Sequence, residues 1–145
     1  MSEHIGKFSI GLADPPWRFR DKAHAGQRGA GYKYGLMSME EICALEIEGV
    51  HVSELFADDA ALGLWVPPAL TVEALGPGMT AWGFKFNTKL FCWRKTTKHG
   101  KEHFGMGTKT RSNSEDCWLG IRGKGPKVVD RGVRHVETGD ANVPR

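Results

Sequence analysis

The sequence lacks any long apolar run. No segment approaches the roughly 18 consecutive apolar residues that a membrane-spanning helix needs, and residues 1–7 contain no apolar stretch of the kind found in secretory leaders. We therefore expect a soluble, cytoplasmic protein with no membrane partner.

Cysteine is also scarce. Cys43, Cys92 and Cys117 are the three cysteines, and no two of them have the Cys-x-x-Cys spacing. An odd number without that spacing argues against a disulfide framework and for a reducing compartment. We expect all three to be buried thiols.

Nucleotide fingerprints and clear metal motifs are missing as well. The glycine-rich segment at residues 26–31 matches neither a dinucleotide-binding motif nor a phosphate-binding loop, and we interpret it as flexible. His99 and His103 are four residues apart and lie between Cys92 and Cys117, which leaves a zinc site open as an alternative. Their Gly and Lys neighbours favour an exposed loop, so no metal is predicted.

Acidic residues are almost absent from residues 85–111, where eight Lys and Arg accompany a single Glu. A basic zone of this kind attracts phosphate backbones. A solvated loop explains the charge equally well. In the nucleic-acid interpretation, the side chains that contact the backbone are Lys98, Lys101, Lys109 and Arg111.

The length of 145 residues and the 40% hydrophobic content fit one globular domain. Apolar runs and turn residues predict alternating strands and helices, and therefore an α/β sheet. Strands are predicted at residues 8–13, 60–66, 84–93, 115–122 and 128–129. A helix is predicted after a capping box formed by Ser38 and Glu41, and another at residues 69–75, closed by Gly76-Pro77-Gly78.

Asp14-Pro15-Pro16-Trp17 directly follows the first predicted strand, which we expect to be buried. Asp14 can accept one N–H bond from an aromatic amine such as that of adenine, and a backbone carbonyl beside a proline can accept the other. The two prolines make this turn rigid, with few local partners competing for its carbonyls. Trp17 offers a face for base stacking. A rigid turn with a packed tryptophan explains the tetrapeptide equally well.

Six segments in order resemble the adenine-N6 methyltransferase family that carries the Asp-Pro-Pro-Trp motif, which includes the catalytic subunit of the eukaryotic messenger-RNA adenosine methyltransferase and has bacterial and phage relatives. The segments are Ala13-Asp14-Pro15-Pro16-Trp17, Tyr34-Gly35-Leu36-Met37-Ser38-Met39-Glu40-Glu41-Ile42, Leu64-Trp65-Val66, Trp82-Gly83-Phe84, Trp93-Arg94-Lys95 and Glu115-Asp116-Cys117-Trp118-Leu119-Gly120-Ile121-Arg122-Gly123. The resemblance extends from Lys7 to about Gly123.

The resemblance implies a Rossmann-like sheet with flanking helices and S-adenosylmethionine as the methyl donor. It assigns catalysis to Asp14, Pro15, Pro16 and Trp17, with Asp14 also near the cofactor. It gives substrate contacts to Tyr34, Lys95 and Glu115. We assign Trp65 and Trp82 to the core rather than to the chemistry.

The family also continues beyond this region with segments that form much of the cofactor pocket. We therefore expect residues 1–145 to form a single methyltransferase domain that is incomplete at its carboxyl end. Two explanations stay open: a fragment of a longer protein, or a natural bacterial or phage short form whose cofactor site is incomplete or completed by a partner. The expected partner is DNA or RNA, with a homodimer or heterodimer as a further candidate assembly. The alternative is a non-catalytic nucleic-acid-binding module, or a partner subunit with a degenerate cofactor site.

Overall fold

A five-stranded mixed sheet organises the computed structural model, which describes residues 2–18, 35–107 and 109–141. Its strands are β1 (Phe8–Ala13), β4 (Phe56–Val66), β5 (Lys85–Thr96), β6 (Ser114–Arg122) and β7 (Val136–Asp140). A separate small hairpin contains β2 (Glu46–Ile47) and β3 (Val50–His51). The predicted strands at 8–13, 60–66 and 115–122 fall within strands of the large sheet, and the strand predicted at 84–93 matches β5, which begins one residue later at Lys85.

The order across this sheet is β1-β4-β6-β5-β7. β1 is parallel to β4 and β5 is parallel to β7, whereas β6 is antiparallel to both β4 and β5. The last residues of β1, β4, β5 and β7 therefore meet at the same end of the sheet as the first residue of β6. We call this end the carboxyl end of the sheet. Ligands of α/β sheets usually bind there.

The helical segments are short. α1 (Met39–Cys43) begins at the predicted capping box: the Ser38 hydroxyl accepts the Glu41 backbone N–H at 3.2 Å, and a Glu41 carboxylate oxygen accepts the Ser38 N–H at 2.6 Å. The chain after β4 forms a 3-10 turn at Pro68–Leu70, α2 (Thr71–Glu73), a π turn at Ala74–Gly78 and α3 (Met79–Ala81). A further 3-10 turn, Val52–Leu55, leads into β4, and another, Ser2–His4, precedes β1.

The predicted end of the second helix at residues 76–78 is wrong. The helical path continues through Pro77 to Ala81, because the turn widens around the proline, and the Met79 N–H donates to the carbonyl of Ala74 five residues earlier. A proline removes one helical hydrogen bond and clashes with the preceding turn. The wide turn accommodates both effects without ending the helical path.

The core lies between the helical segments and one face of the sheet. Leu62, Leu64 and Val66 of β4 point to this face and join Ile42, Met79 and Trp82 in one buried cluster. Trp82 is thus in the core as predicted, whereas Trp65 is half-buried. Alternating apolar segments packed in this way form a Rossmann-like α/β fold, which confirms the expected fold class.

Two strand predictions need correction. β1 was expected to be buried, but it lies at the edge of the described sheet, and its Ile10 and Leu12 are 68% and 70% exposed on the face opposite the core. Residues 128–129 form no strand and Val129 is 96% exposed; the last strand starts at Val136 instead. Two valines are too few to form a strand between Gly125-Pro126 and the turn in which Asp130 accepts the Gly132 N–H at 2.7 Å.

The thiol prediction holds only for Cys117, which is fully buried, since Cys43 and Cys92 are half-buried. Within the described ranges, no helix is long and apolar enough to cross a membrane.

Candidate functional site

The Asp-Pro-Pro-Trp turn lies at the carboxyl end of the sheet, immediately after β1. Asp14 is exposed, Pro15 is buried and Pro16 is half-buried. The parallel pairing of Ala13 with Leu64 holds the start of this turn beside β4. The carboxylate of Asp14 is thus accessible at the position where ligands of such sheets bind.

Both proline carbonyls in the turn already accept backbone hydrogen bonds. The Pro15 oxygen accepts the Trp17 N–H at 2.9 Å, and the Pro16 oxygen accepts the Met37 N–H at 2.8 Å. The expectation of few competing partners is therefore wrong. The reason is that residues 35–38 pair with the turn, as shown also by the Arg18 N–H, which donates to the Met37 oxygen at 2.9 Å. Each carbonyl keeps a second lone pair for another donor.

Trp17 is a core residue. It is only 6% exposed, and its indole Nε1 donates to the Trp65 carbonyl oxygen at 3.0 Å. This bond joins the motif to the carboxyl end of β4 and fixes the ring. The contacts therefore agree with the interpretation of Trp17 as a packed side chain. Its role in stacking on a base stays a prediction.

A cavity of about 150 Å³ adjoins the motif. Its walls are Trp17, Arg18, Met37, Ser38, Met39, Glu40, Leu70 and Glu73. The volume is below the roughly 300 to 1,000 Å³ of typical small-molecule pockets. Within the described residues, this cavity therefore accommodates a small group rather than a whole nucleoside cofactor.

Lys95 and Glu115, to which the family resemblance gives substrate contacts, form an ion pair. Glu115 faces Trp93 across the β5–β6 ladder, and the Lys95 Nζ also lies 5.0 Å from the centre of the Trp93 ring. The pair lies at the carboxyl end of the sheet, on the two strands beyond β4. Adjacent strands are about 4.8 Å apart. Because β4 lies between β1 and β6, Glu115 on β6 is about 10 Å across the sheet from β1, the strand that precedes Asp14.

A second ion pair, between Lys89 and Asp116, was not predicted. The Lys89 Nζ is 3.0 Å from an Asp116 carboxylate oxygen and 5.0 Å from the centre of the Trp118 ring. Burial, together with hydrogen bonding and charge from Asp116, raises the pKa of the nearby Cys92 thiol. The available sequence signal was the pair of adjacent carboxylates, Glu115 and Asp116, in an otherwise apolar strand, since adjacent residues face opposite sides of a sheet and each carboxylate needs its own partner.

The predicted nucleic-acid contacts all lie in one segment, residues 97–113, which joins β5 to β6 and which we call the basic loop. Lys98, Lys101, Lys109 and Arg111 are exposed in it. It leaves and re-enters the sheet at the carboxyl end, near Lys95 and Glu115. The structure therefore places the basic zone at the same end as the Asp-Pro-Pro-Trp turn.

Two predictions concern other parts of the site. Tyr34 and the glycine-rich segment at 26–31 lie outside the described residues. In the part of the chain that is described, no three His, Cys, Asp or Glu side chains converge as metal ligands would.

A Rossmann-like sheet with an accessible Asp-Pro-Pro turn at its carboxyl end is the arrangement that the resemblance of the sequence to a methyltransferase family led us to expect. The MT-A70 family model matches residues 8–143, and the chain belongs to this family. It is also similar to the N(6)-adenosine-methyltransferase MT-A70-like protein of Drosophila melanogaster, with 27% identity over 147 residues. That match covers 89% of the chain and 19% of the Drosophila protein, so the chain spans about a fifth of that relative's length.

Proposed function

We propose that this chain takes part in S-adenosylmethionine-dependent methyl transfer to the N6 amino group of adenine in DNA or RNA. The observation that carries the proposal is the exposed Asp14 carboxylate, held beside Pro15 and Pro16 at the carboxyl end of the sheet. Membership of the MT-A70 family and the name of the Drosophila relative support it.

The amino group of adenine is a weak nucleophile, because its lone pair is delocalised into the ring. Asp14 accepts one of its N–H bonds in this proposal, and a carbonyl of the turn accepts the other through its free lone pair. Both contacts draw the nitrogen towards tetrahedral geometry, and the two prolines keep the acceptors in place. The charged Asp14 also favours departure of the amine proton as the new bond forms.

S-adenosylmethionine supplies the electrophilic methyl group when it is bound. The cavity beside the motif is too small for that whole molecule. Asp14 is the one residue that we assign to the neighbourhood of the cofactor. The described residues fit the substrate side of such a site better than the cofactor side.

Four further residues are proposed to hold the target nucleoside. Lys95 and Glu115 together present a charged pair at the carboxyl end of the sheet, suited to hydroxyl and ring-nitrogen contacts. Tyr34 is proposed to close the substrate pocket. The face of the Trp17 ring is proposed to stack on the base. Membership of the Asp-Pro-Pro-Trp subgroup, a bacterial or phage origin, a single domain and a dimer remain predictions.

The direct test uses labelled S-adenosylmethionine with adenine-containing DNA and RNA oligonucleotides. We expect transfer to one of them, and a loss of at least about 100-fold in Asp14→Asn, which keeps the shape but removes the charge. Asp58→Asn is the matched control, because Asp58 is also exposed but lies in the first half of β4, near the other end of the sheet.

Two outcomes would contradict the proposal. Equal transfer by the wild type and Asp14→Asn would remove Asp14 from the chemistry. If calorimetry finds oligonucleotide binding but no S-adenosylmethionine binding, the chain is the non-catalytic nucleic-acid-binding module of the alternative hypothesis.

A further inference from the structure

Phe104 is an aromatic side chain that the fold leaves in solvent. It lies in the basic loop and is 78% exposed, and Met106, two residues later, is 67% exposed. Single exposed apolar residues are common. Two large ones on a structured, cationic loop beside the candidate site suggest a contact surface.

The basic loop is held by its own hydrogen bonds. The His103 N–H donates to the Lys95 carbonyl at 3.2 Å, and the Gly105 N–H donates to the Ser112 carbonyl at 3.0 Å. A Cβ atom at Gly105 or Gly107 would overlap the carbonyl oxygens of the facing segment, so only glycine allows this close approach. The two sides of the loop thus lie against each other, and Phe104 is presented from a defined backbone.

The Phe104 ring lies beside a cation. The guanidinium carbon of Arg111 is 5.4 Å from the ring centre, and an Arg111 nitrogen donates to the Gly107 carbonyl at 3.4 Å. The guanidinium therefore supports the ring, while most of the ring surface stays accessible.

The charge of the basic loop remains available to a partner. Its one carboxylate, Glu102, is already engaged by Arg94 and by the Asn113 amide, whose Nδ2 is 2.9 Å away. Among the described residues, no carboxylate lies within ion-pair distance of the exposed Lys98, Lys101, Lys109 or Arg111. The loop thus combines an open aromatic face with cations that no carboxylate of the described ranges neutralises.

We propose that Phe104 stacks on a base of single-stranded nucleic acid, outside the methylation site, while the cations of the basic loop contact the adjoining phosphates. This combination of an aromatic platform and a positive track is typical of single-strand binding, and the bases of a duplex would be hidden from the ring. The inference rests on the proposed function, since it takes the substrate to be a nucleic acid. It adds a residue that contacts the nucleic acid at a base other than the target adenine.

The test measures binding of fluorescent single-stranded oligonucleotides by anisotropy, without S-adenosylmethionine. One probe carries bases, and the second is an abasic strand of the same length. Phe104→Ala should weaken binding of the first by at least about fivefold and leave binding of the second unchanged, because stacking requires a base. Phe104→Tyr should bind like the wild type.

Two controls separate stacking from charge and from general surface change. Lys101→Ala should weaken binding of both probes and lower the slope of log affinity against log salt by about 0.7. Val129→Ala alters another exposed apolar residue, 96% exposed and outside the loop, and should change nothing.

The proposal is overturned if Phe104→Ala binds both probes like the wild type, or weakens both equally. It is also overturned if the substitution changes the sedimentation of the protein instead, since the ring would then face another protein chain. Absence of methyl transfer combined with base-dependent binding through Phe104 would reject the proposed function alone. Methyl transfer combined with unchanged binding in Phe104→Ala would reject the stacking role alone.

Discussion

Arg122 shows at the residue scale how a surface charge becomes structural. Its guanidinium donates to four backbone carbonyls: Nε to Gly83 at 3.0 Å, one terminal nitrogen to Ser53 at 2.8 Å and Phe56 at 3.2 Å, and the other to Trp82 at 2.7 Å. The group also lies 5.0 Å from the Phe84 ring centre. The end of β6 is thereby joined to two turns that are distant in sequence.

Arg122→Lys should lower the free energy of unfolding by about 2 kcal/mol or more, because one ammonium cannot serve these carbonyls and does not stack as a planar group does. Chemical denaturation measures the loss. Arg94→Lys is the matched control: Arg94 makes an exposed ion pair with Glu102, so a change below about 1 kcal/mol is expected. Equal effects of the two substitutions would refute the structural role of Arg122.

The thiols provide a second prediction at this scale. Burial raises the pKa of Cys43 and, with Asp116, that of Cys92, so both remain protonated at neutral pH. Since a thiol whose pKa is raised on folding favours the folded state at low pH, this contribution is lost as the pH rises above the ordinary value of about 8.5. Alkylation by iodoacetamide at pH 7.5 should be slower than in a cysteine peptide, and Cys117, fully buried, should react only after unfolding. Rapid labelling of native Cys117 would contradict the described core.

At the element scale, α1 was predictable because its signals are local. The capping box involves residues three apart, and those side chains meet whenever the helix forms. The helical region after β4 was less predictable. Pro77 normally ends a helix, and only packing of residues 74–82 onto the sheet, with Ala74, Met79 and Trp82 buried, explains why the helical path continues.

Ser38→Ala should cost about 1 kcal/mol of unfolding free energy, the usual cost of losing a helix N-cap.

The hydrogen bond from the Ser38 backbone N–H lowers the pKa of Glu41. A carboxylate with a lowered pKa stabilises the fold above its ordinary value of about 4.3, and this contribution disappears as the pH falls through the folded-state pKa.

Denaturation at pH 7 and at pH 3 checks this pH dependence. Glu41→Gln cannot ionise, so its stability should change less between the two pH values than that of the wild type. If both proteins lose the same stability, Glu41 is not responsible for the acid sensitivity.

At the scale of the whole molecule, the motif and the core are one structure. The Trp17 indole both fills the core cluster and donates to the Trp65 carbonyl at the end of β4. Asp14 therefore takes its position from a side chain three residues later that packs below the site. A substitution of Trp17 should therefore change both the free energy of unfolding and the geometry of the Asp-Pro-Pro-Trp turn.

Trp17→Phe should lower the unfolding free energy by about 1 to 2 kcal/mol, since the Trp65 carbonyl loses its donor. Trp17→Ala should cost about 3 to 5 kcal/mol, the range for a buried tryptophan. Trp118→Phe is the matched control, because the buried Trp118 Nε1 finds no hydrogen-bond partner among the described residues. A larger loss in Trp118→Phe than in Trp17→Phe would show that the indole bond to Trp65 contributes little.

The sequence by itself determined the features that depend on neighbouring residues. The strand before Asp14, the rigid proline turn, the capping box of α1 and the cations of the basic loop were all predicted. The α/β class also followed, because alternating apolar runs of these lengths allow few other architectures.

Only the tertiary structure decided which distant groups meet. It placed β1 at the edge of the described sheet with Ile10 and Leu12 exposed, paired Lys95 with Glu115, and directed Arg122 to carbonyls 39 to 69 positions away. It also buried Trp17 against the carbonyl of Trp65, 48 positions later. These contacts depend on strand order and register, which local propensities do not specify. The Asp-Pro-Pro-Trp motif could thus be found from the sequence, but the anchoring of its tryptophan in the core could not.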